Sequence, residues 1–293
     1  MNTRNSMSKI FTAAAAAALA LSAGATYADI TTGLVLDWTM NQSTGTTVVN
    51  SAPGGSSADN GTVNTASDTA WVPDAPGGGY ALQLNTTGGP AQSGYVSTSG
   101  SSDVALSTYT LSCWMNLDYV PPSSNGATNP GLFNSRFNGG HTDIQIENAS
   151  TSTAGYARGV HADIGSSSGY ITTGADAAYQ FYPHTWYLIT YAVQTGSVDI
   201  YVNGVLAKSY ADGGTAPLLE AGGFNVGSGA GSGTAVFLPA AIADFTIYNR
   251  VLSSSDVAQL YNSAIPEPAT LGLMAVMGAG LPLIGRKRRR ASY

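Results

Sequence analysis

From Ile30 onward, apolar side chains recur at alternate positions in short runs. Leu34, Leu36, Trp38 and Met40 alternate with Val35, Asp37 and Thr39, and Leu82 and Leu84 flank Gln83. A period of two sends successive side chains to opposite faces, which is the signature of a strand with one buried face. Residues 110–117 form a fuller apolar run. Residues 187–193 are followed by Gln194-Thr195-Gly196-Ser197 and then by Val198, Ile200 and Val202, the pattern of two strands joined by a short turn. Asn203-Gly204 stands between Val202 and Val205, the strongest short-range hairpin signal a sequence offers. Gly, Pro, Asn and Ser clusters separate these runs, and no long amphipathic helix interrupts them. Many short strands with frequent turns predict an all-β fold, an antiparallel two-sheet jelly-roll sandwich. Trp38, Leu84, Trp114, Ile200 and Ile247 are expected in its interior. Residues 121–178 are rich in Gly and Ser and read as a long loop region.

Composition sharpens this picture at the two ends. Only 10% of the 293 residues are charged, and the net charge is −6. Five of the eleven bases form one run, Arg286, Lys287, Arg288, Arg289 and Arg290. Between Asp29 and Ile265 there are four bases against sixteen acids, a balance of −12. Such an acidic body repels phosphate backbones, so no nucleic-acid partner is expected. Residues 1–28 carry basic Arg4 and Lys9, an uncharged alanine-rich stretch, and small residues ahead of cuts after Ala25 or Ala28. That is the layout of a secretory signal peptide. The C-terminal segment, residues 264–293, holds Pro266-Glu267-Pro268, then an uncharged span from Ala269 to Gly285, then the basic run. Seventeen residues in a helix reach about 25 Å, the short end of what spans a bilayer. The basic run is expected to remain cytoplasmic. The single cysteine, Cys113, permits no intrachain disulfide and sits in an apolar run, where it reads as a small core residue.

The order Pro-Glu-Pro, apolar span and arginine-rich end resembles the PEP-CTERM sorting tail. The resemblance implies recognition at Pro266, Glu267 and Pro268 by an exosortase-type membrane protease, with transient residence in the inner membrane. The body, residues 29–263, resembles laminin-G-like domains of the concanavalin A-like class. The resemblance is carried by Leu34-Val35-Leu36-Asp37-Trp38 as the opening strand, by residues 109–115, by the hairpin around Asn203-Gly204, and by residues 241–253 followed by a short terminal helix. It implies a structural calcium near the closing strand, with Asp244 and Asn41 on the matching positions. A second acid often precedes the closing aspartate in that family; here the position is Ala243.

Other chemistry is sparse. Laminarinase-type enzymes of this class carry Glu-x-Asp-x-x-Glu on one strand, and the nearest counterpart is Asp143-Ile144-Gln145-Ile146-Glu147. Asp143 and Glu147 would be about 13 Å apart along a strand, too far for a retaining or inverting pair, and Gln145 replaces the middle carboxylate. A half-exposed strand with polar outward residues is expected instead. His141, His161 and His184 lack zinc-ligand spacing. In the aromatic stretch 179–187, Tyr179 and Tyr182 are the candidates for stacking against sugar rings. The expected function is a non-catalytic exported binding module for carbohydrate or a matrix component, located at the cell surface or in the extracellular matrix. A carbohydrate-active enzyme on the same sandwich and a purely structural surface protein are the alternatives.

Overall fold

The alternating runs become strands. A computed structural model describes residues 30–86, 93–100, 102–119, 130–135, 142–146, 159–167, 169–219, 223–230 and 235–264. The expected signal peptide, the tail from residue 265 onward, His141 and Glu147 lie outside the described residues. In chain order the strands begin with β1 (Leu34–Trp38), β2 (Thr47–Val48), β3 (Gly61–Asn64), β4 (Thr69–Val72), β5 (Ala81–Leu84) and β6 (Tyr95–Thr98). They continue with β7 (Tyr109–Leu117), β8 (Gly131–Asn134), β9 (Asp143–Ile146), β10 (Val160–Ser166), β11 (Gly169–Ala177) and β12 (Trp186–Gln194). The last are β13 (Ser197–Val202), β14 (Val205–Tyr210), β15 (Phe224–Val226), β16 (Ser228–Ala230), β17 (Ala235–Phe237) and β18 (Ala240–Tyr248), followed by helix α1 (Ser254–Ala264).

Two sheets face each other. The first has the order β14-β13-β12-β7-β18-β5-β4, with β1 and β5 end to end along the same edge of β18. The second has the order β11-β10-β9-β8-β15-β6-β3-β2, and β16 and β17 form a separate ribbon. Every pairing in both sheets is antiparallel. The Asn203-Gly204 turn forms as expected, with φ of 53° and 77°, the double left-handed geometry that Asn-Gly tolerates.

The interior is fixed by four aromatic rings drawn from both sheets. Trp38 and Phe245 come from the first sheet, Phe133 and Phe224 from the second. Their ring centroids lie 5.1–6.1 Å apart in five contacts. Trp38 is fully buried, and its indole N–H donates to the Asp59 carbonyl at 2.9 Å. Leu84, Trp114, Ile200 and Ile247 are buried as expected. Trp114, however, packs on the outer face of the first sheet, stacked on Tyr261 of α1 at 5.5 Å. Leu34 also departs from the simple alternation. A register shift between Leu34 and Leu36 turns it out of the interior toward Tyr248, Leu252 and Val257.

The stretch expected as a long loop, 121–178, contains β8, β9, β10 and β11. Their inward residues include small side chains such as Ala162, Ala175 and Ala177, and their outward residues are polar, so the hydrophobic contrast is weak.

Trp38 links both sheets, so Trp38→Ala removes ring contacts and strands the Asp59 carbonyl. The expected loss is about 3–5 kcal/mol, read as a fall in the denaturant midpoint at unchanged m-value. A loss below about 1 kcal/mol would show that the four-ring cluster does not hold the sheets.

Candidate functional site

The outer face of the second sheet carries a line of polar side chains in direct register. Thr47 lies opposite Thr62, Thr62 opposite Ser97, Ser97 opposite Asn225, and Asn225 opposite Asn134. From there Asn134 lies opposite Asp143, and Asp143 opposite Asp163. One polar residue thus comes from each of seven neighbouring strands. Their sequence neighbours Val63, Val96, Phe224, Phe133, Ile144 and Ala162 point into the core. At a strand spacing of about 4.8 Å the row runs roughly 29 Å.

The row has two unlike halves. At the β8–β10 end the side chains are buried and bonded to one another. Asn134 donates Nδ2 to Asp143 Oδ1 at 3.2 Å, and Gln145 donates Nε2 to Asp143 Oδ2 at 2.7 Å. Asp143 and Gln145 are therefore buried, not half-exposed as the sequence suggested. A buried carboxylate needs hydrogen-bond donors, and the two amides supply them. Beside them His161 sits between two acids, with Nδ1 at 2.5 Å from Asp176 and Nε2 at 3.3 Å from Asp163. Burial alone would lower the imidazole pKa, but hydrogen bonds and charge from Asp163 and Asp176 outweigh it and raise it to about 9. At the β2–β15 end the row is open to solvent: Thr47 and Thr62 are exposed, and Ser97 and Asn225 are half-buried.

The outer face of the first sheet is covered by α1. Ser253 and Asp256 cap this helix reciprocally, and Arg250 pairs with Asp256 at 2.9 Å. Two cavities remain beside it. One, of about 240 Å³, is lined by Asp37, Ser112, Trp114, Asp244 and Tyr248 among others. The second, of about 290 Å³, is lined by Thr39, Asn41, Tyr80 and Asp244. The structure thus brings Asn41 and Asp244 to one cavity. Asp244 sits at a bulge in β18 with φ of 46°, which turns its carboxylate out of the core. Burial and the neighbouring Asp37 push its pKa up to about 6. Burial also raises Asp37, against the hydrogen bond from Ser51. Asn41 Oδ1 accepts the Tyr80 N–H at 2.9 Å. Ala243, where an acid was looked for, is buried among Trp114, Leu188 and Leu260, a position that would desolvate a carboxylate.

Tyr179 is half-buried, with its ring against Phe181 and Tyr187, whereas Tyr182 is exposed. Only Tyr182 of the pair offers an open ring face. His161 and His184 lie on different elements, and no group of three or more His, Cys, Asp or Glu gathers as a metal site among the described residues. Cys113 is fully buried, and burial pushes its thiol pKa up, so it is inert. The polar row itself escaped the sequence reading. Each member shows as a polar residue between core residues, as in Gly61-Thr62-Val63 and Phe224-Asn225-Val226, but lateral register across seven strands is not visible in one sequence.

A family profile for the concanavalin A-like lectin/glucanases superfamily matches residues 87–258, more than half of the 293-residue chain. The chain belongs to this superfamily. Among solved structures, the binding domain of Paraclostridial Mosquitocidal Protein 1 superposes with a TM-score of 0.56 at 15% identity, covering 80% of this chain and 53% of that one. Domain 4 of AbnA, a GH43 extracellular arabinanase from Geobacillus stearothermophilus solved with arabinotriose, gives 0.51 at 17% identity, covering 78% and 98%. Botulinum neurotoxin type C, described as depending on two ganglioside molecules for cell entry, gives 0.55 at 15% identity, covering 81% and 52%. The chain spans about half the length of the toxin structures. At these identities the likeness is one of fold. No curated protein matches the sequence significantly.

The His161 cluster makes stability depend on pH in a defined direction. Its folded pKa of about 9 lies above the free value of 6.5, so its contribution is complete below pH 6.5 and disappears as pH rises through 9. The thermal midpoint is expected to fall between pH 6.5 and 9, and His161→Gln to flatten that fall. An unchanged slope in the variant would mean that another group drives it.

Proposed function

We propose that this member of the superfamily is a non-catalytic carbohydrate- or matrix-binding module that works outside the cytoplasm. The observation that carries the reading is the outer face of the second sheet, where the strand that would hold a catalytic pair presents Asp143 tied to two amides and Gln145 where the middle carboxylate would stand. The fold supports the same reading, since a structure of this shape was solved with arabinotriose and another was described with gangliosides. Calcium is the proposed structural ion. Asn41, Asp244 and the neighbouring Asp37 supply only oxygen ligands, as a hard cation requires, and a bound cation would relieve the raised pKa of Asp244.

Delivery is proposed to follow the two terminal signals. Residues 1–28 direct export. The basic run from Arg286 to Arg290 halts the chain in the inner membrane, and an exosortase-type protease cleaves at Pro266-Glu267-Pro268. Among the described residues no helix is long and apolar enough to cross a membrane. The described residues end with α1, whose last residue Ala264 stands beside Gly77, and Pro266-Glu267-Pro268 follows closely in the sequence.

A glycan array with and without calcium tests the binding reading. Retention of at least one glycan is expected, with no reducing ends released from laminarin, agar, carrageenan or chitin. Calcium is expected to raise the thermal midpoint of the wild type but not of Asp244→Asn, and that variant should be the more stable of the two at pH 7 without calcium, because the ionised Asp244 then carries an unrelieved burial penalty. Turnover lost in Asp143→Asn would instead make the protein an enzyme. Intact-mass analysis of the protein from its native host tests the delivery reading: the mature species should lack residues 269–293. Retention of the arginines would make the tail a permanent anchor.

A further inference from the structure

The geometry points to the open end of the polar row as the ligand surface, and to an uncharged, extended glycan laid across strands β2, β3, β6 and β15 as its ligand; this rests on the carbohydrate-binding reading above. The surface comprises Thr47, Thr62, Asn64, Tyr95, Ser97 and Asn225. All of them project from the outer side of the second sheet, by register or by alternation within their strands. Asn64 donates Nδ2 to Ser97 Oγ at 2.8 Å and to the Thr62 carbonyl at 2.9 Å. That fixes the amide and leaves its oxygen free of those two bonds. Hydroxyls and amides can both donate and accept, so they match sugar hydroxyls without preferring a charge.

An aromatic face completes the patch. Tyr95 lies in register with Asn64, half-buried, and its ring is braced by Phe237 at 6.0 Å. A braced ring beside the fixed Asn64 amide suits a sugar, which has an apolar ring face and a polar rim. The strand spacing of about 4.8 Å is close to the advance of one monosaccharide along an extended chain, so successive sugars would meet successive polar residues.

Charge selects against acidic sugars. None of the four strands carries Asp, Glu, Lys, Arg or His, so the strip offers no cation to pair with a carboxylate. The surface is also turned away from both ends of the described domain. Ile30 lines the cavity on the outer face of the first sheet, and Ala264 ends α1 there.

The test is calorimetric titration of the full chain with cellohexaose, laminarihexaose, xylohexaose and arabinohexaose, and with sialyllactose and oligogalacturonate. At least one neutral hexaose is expected to bind. The double variant Asn64→Ala/Asn225→Ala should stay folded and lose at least tenfold in affinity, while Val205→Ser on the exposed edge of the first sheet leaves affinity unchanged. Should the double variant not fold, the side-chain amide signals of Asn64 and Asn225 in the wild type decide: the bound hexaose must shift them. Neutral binding that ignores both asparagines overturns this inference and leaves the carbohydrate-binding reading standing. Binding of the acidic probes alone also overturns it. Failure to bind any glycan, here and on the array, ends the broader reading as well.

Discussion

The fold depends on the contact among Trp38, Phe245, Phe133 and Phe224. Two sheets can slide over one another at little cost if their facing residues are small and alike; bulky rings from both sides remove that freedom by interlocking. The indole N–H of Trp38, bonded to the Asp59 carbonyl, ties the cluster to the turn that leads into β3. Gly61, at the start of β3, is a glycine for the same reason: an added Cβ would fall 2.6 Å from Val96 Cγ1 and 3.0 Å from the Trp38 ring. Close packing inside thus sets where β3 and β6 lie. Because side chains alternate with a period of two, fixing the inward residues also fixes the outward ones. The alignment of Thr62 with Ser97 and Asn225 on the surface follows from Val63, Val96 and Phe224 inside.

The two outer faces differ in kind. That of the first sheet is closed by α1, held by the Trp114–Tyr261 stack and the Arg250–Asp256 pair, and it keeps two cavities with raised carboxylates. That of the second sheet has no described helix upon it and grades from a buried, fully bonded polar layer to an open neutral strip. A buried polar layer is stable only when its members satisfy one another, which Asn134, Asp143 and Gln145 do. Rigidity at that end lends a firm floor to the open one.

Most of the architecture was legible in the chain. The alternation around Trp38, the Asn203-Gly204 turn and the closing strand with its short helix stand in the structure as expected, because each depends on neighbours in sequence. The strands within 121–178 were not legible, since Ala162, Ala175 and Ala177 bury little area and Asp143, His161 and Asp163 look like loop residues until their partners are seen. Asn41 and Asp244 were named from resemblance and do share a cavity, but the partner that most affects Asp244, Asp37, was not foreseen. It lies on β1, more than two hundred residues away in sequence, and only the β1–β18 pairing makes them neighbours. The polar row was hidden for the same reason, because register between distant strands is a property of the packed sheet.

The central claim is that the second sheet, and not the cavities beside α1, meets the ligand, and that it does so without chemistry. Crystals of the mature protein soaked in a neutral hexaose that it binds test this most directly. The account predicts an intact oligosaccharide lying across β3, β6 and β15, with hydrogen bonds to Asn64 and Asn225 and a ring face on Tyr95. Density for the sugar in the Asp37–Asp244 cavity, or for cleaved products beside Asp143, would contradict it.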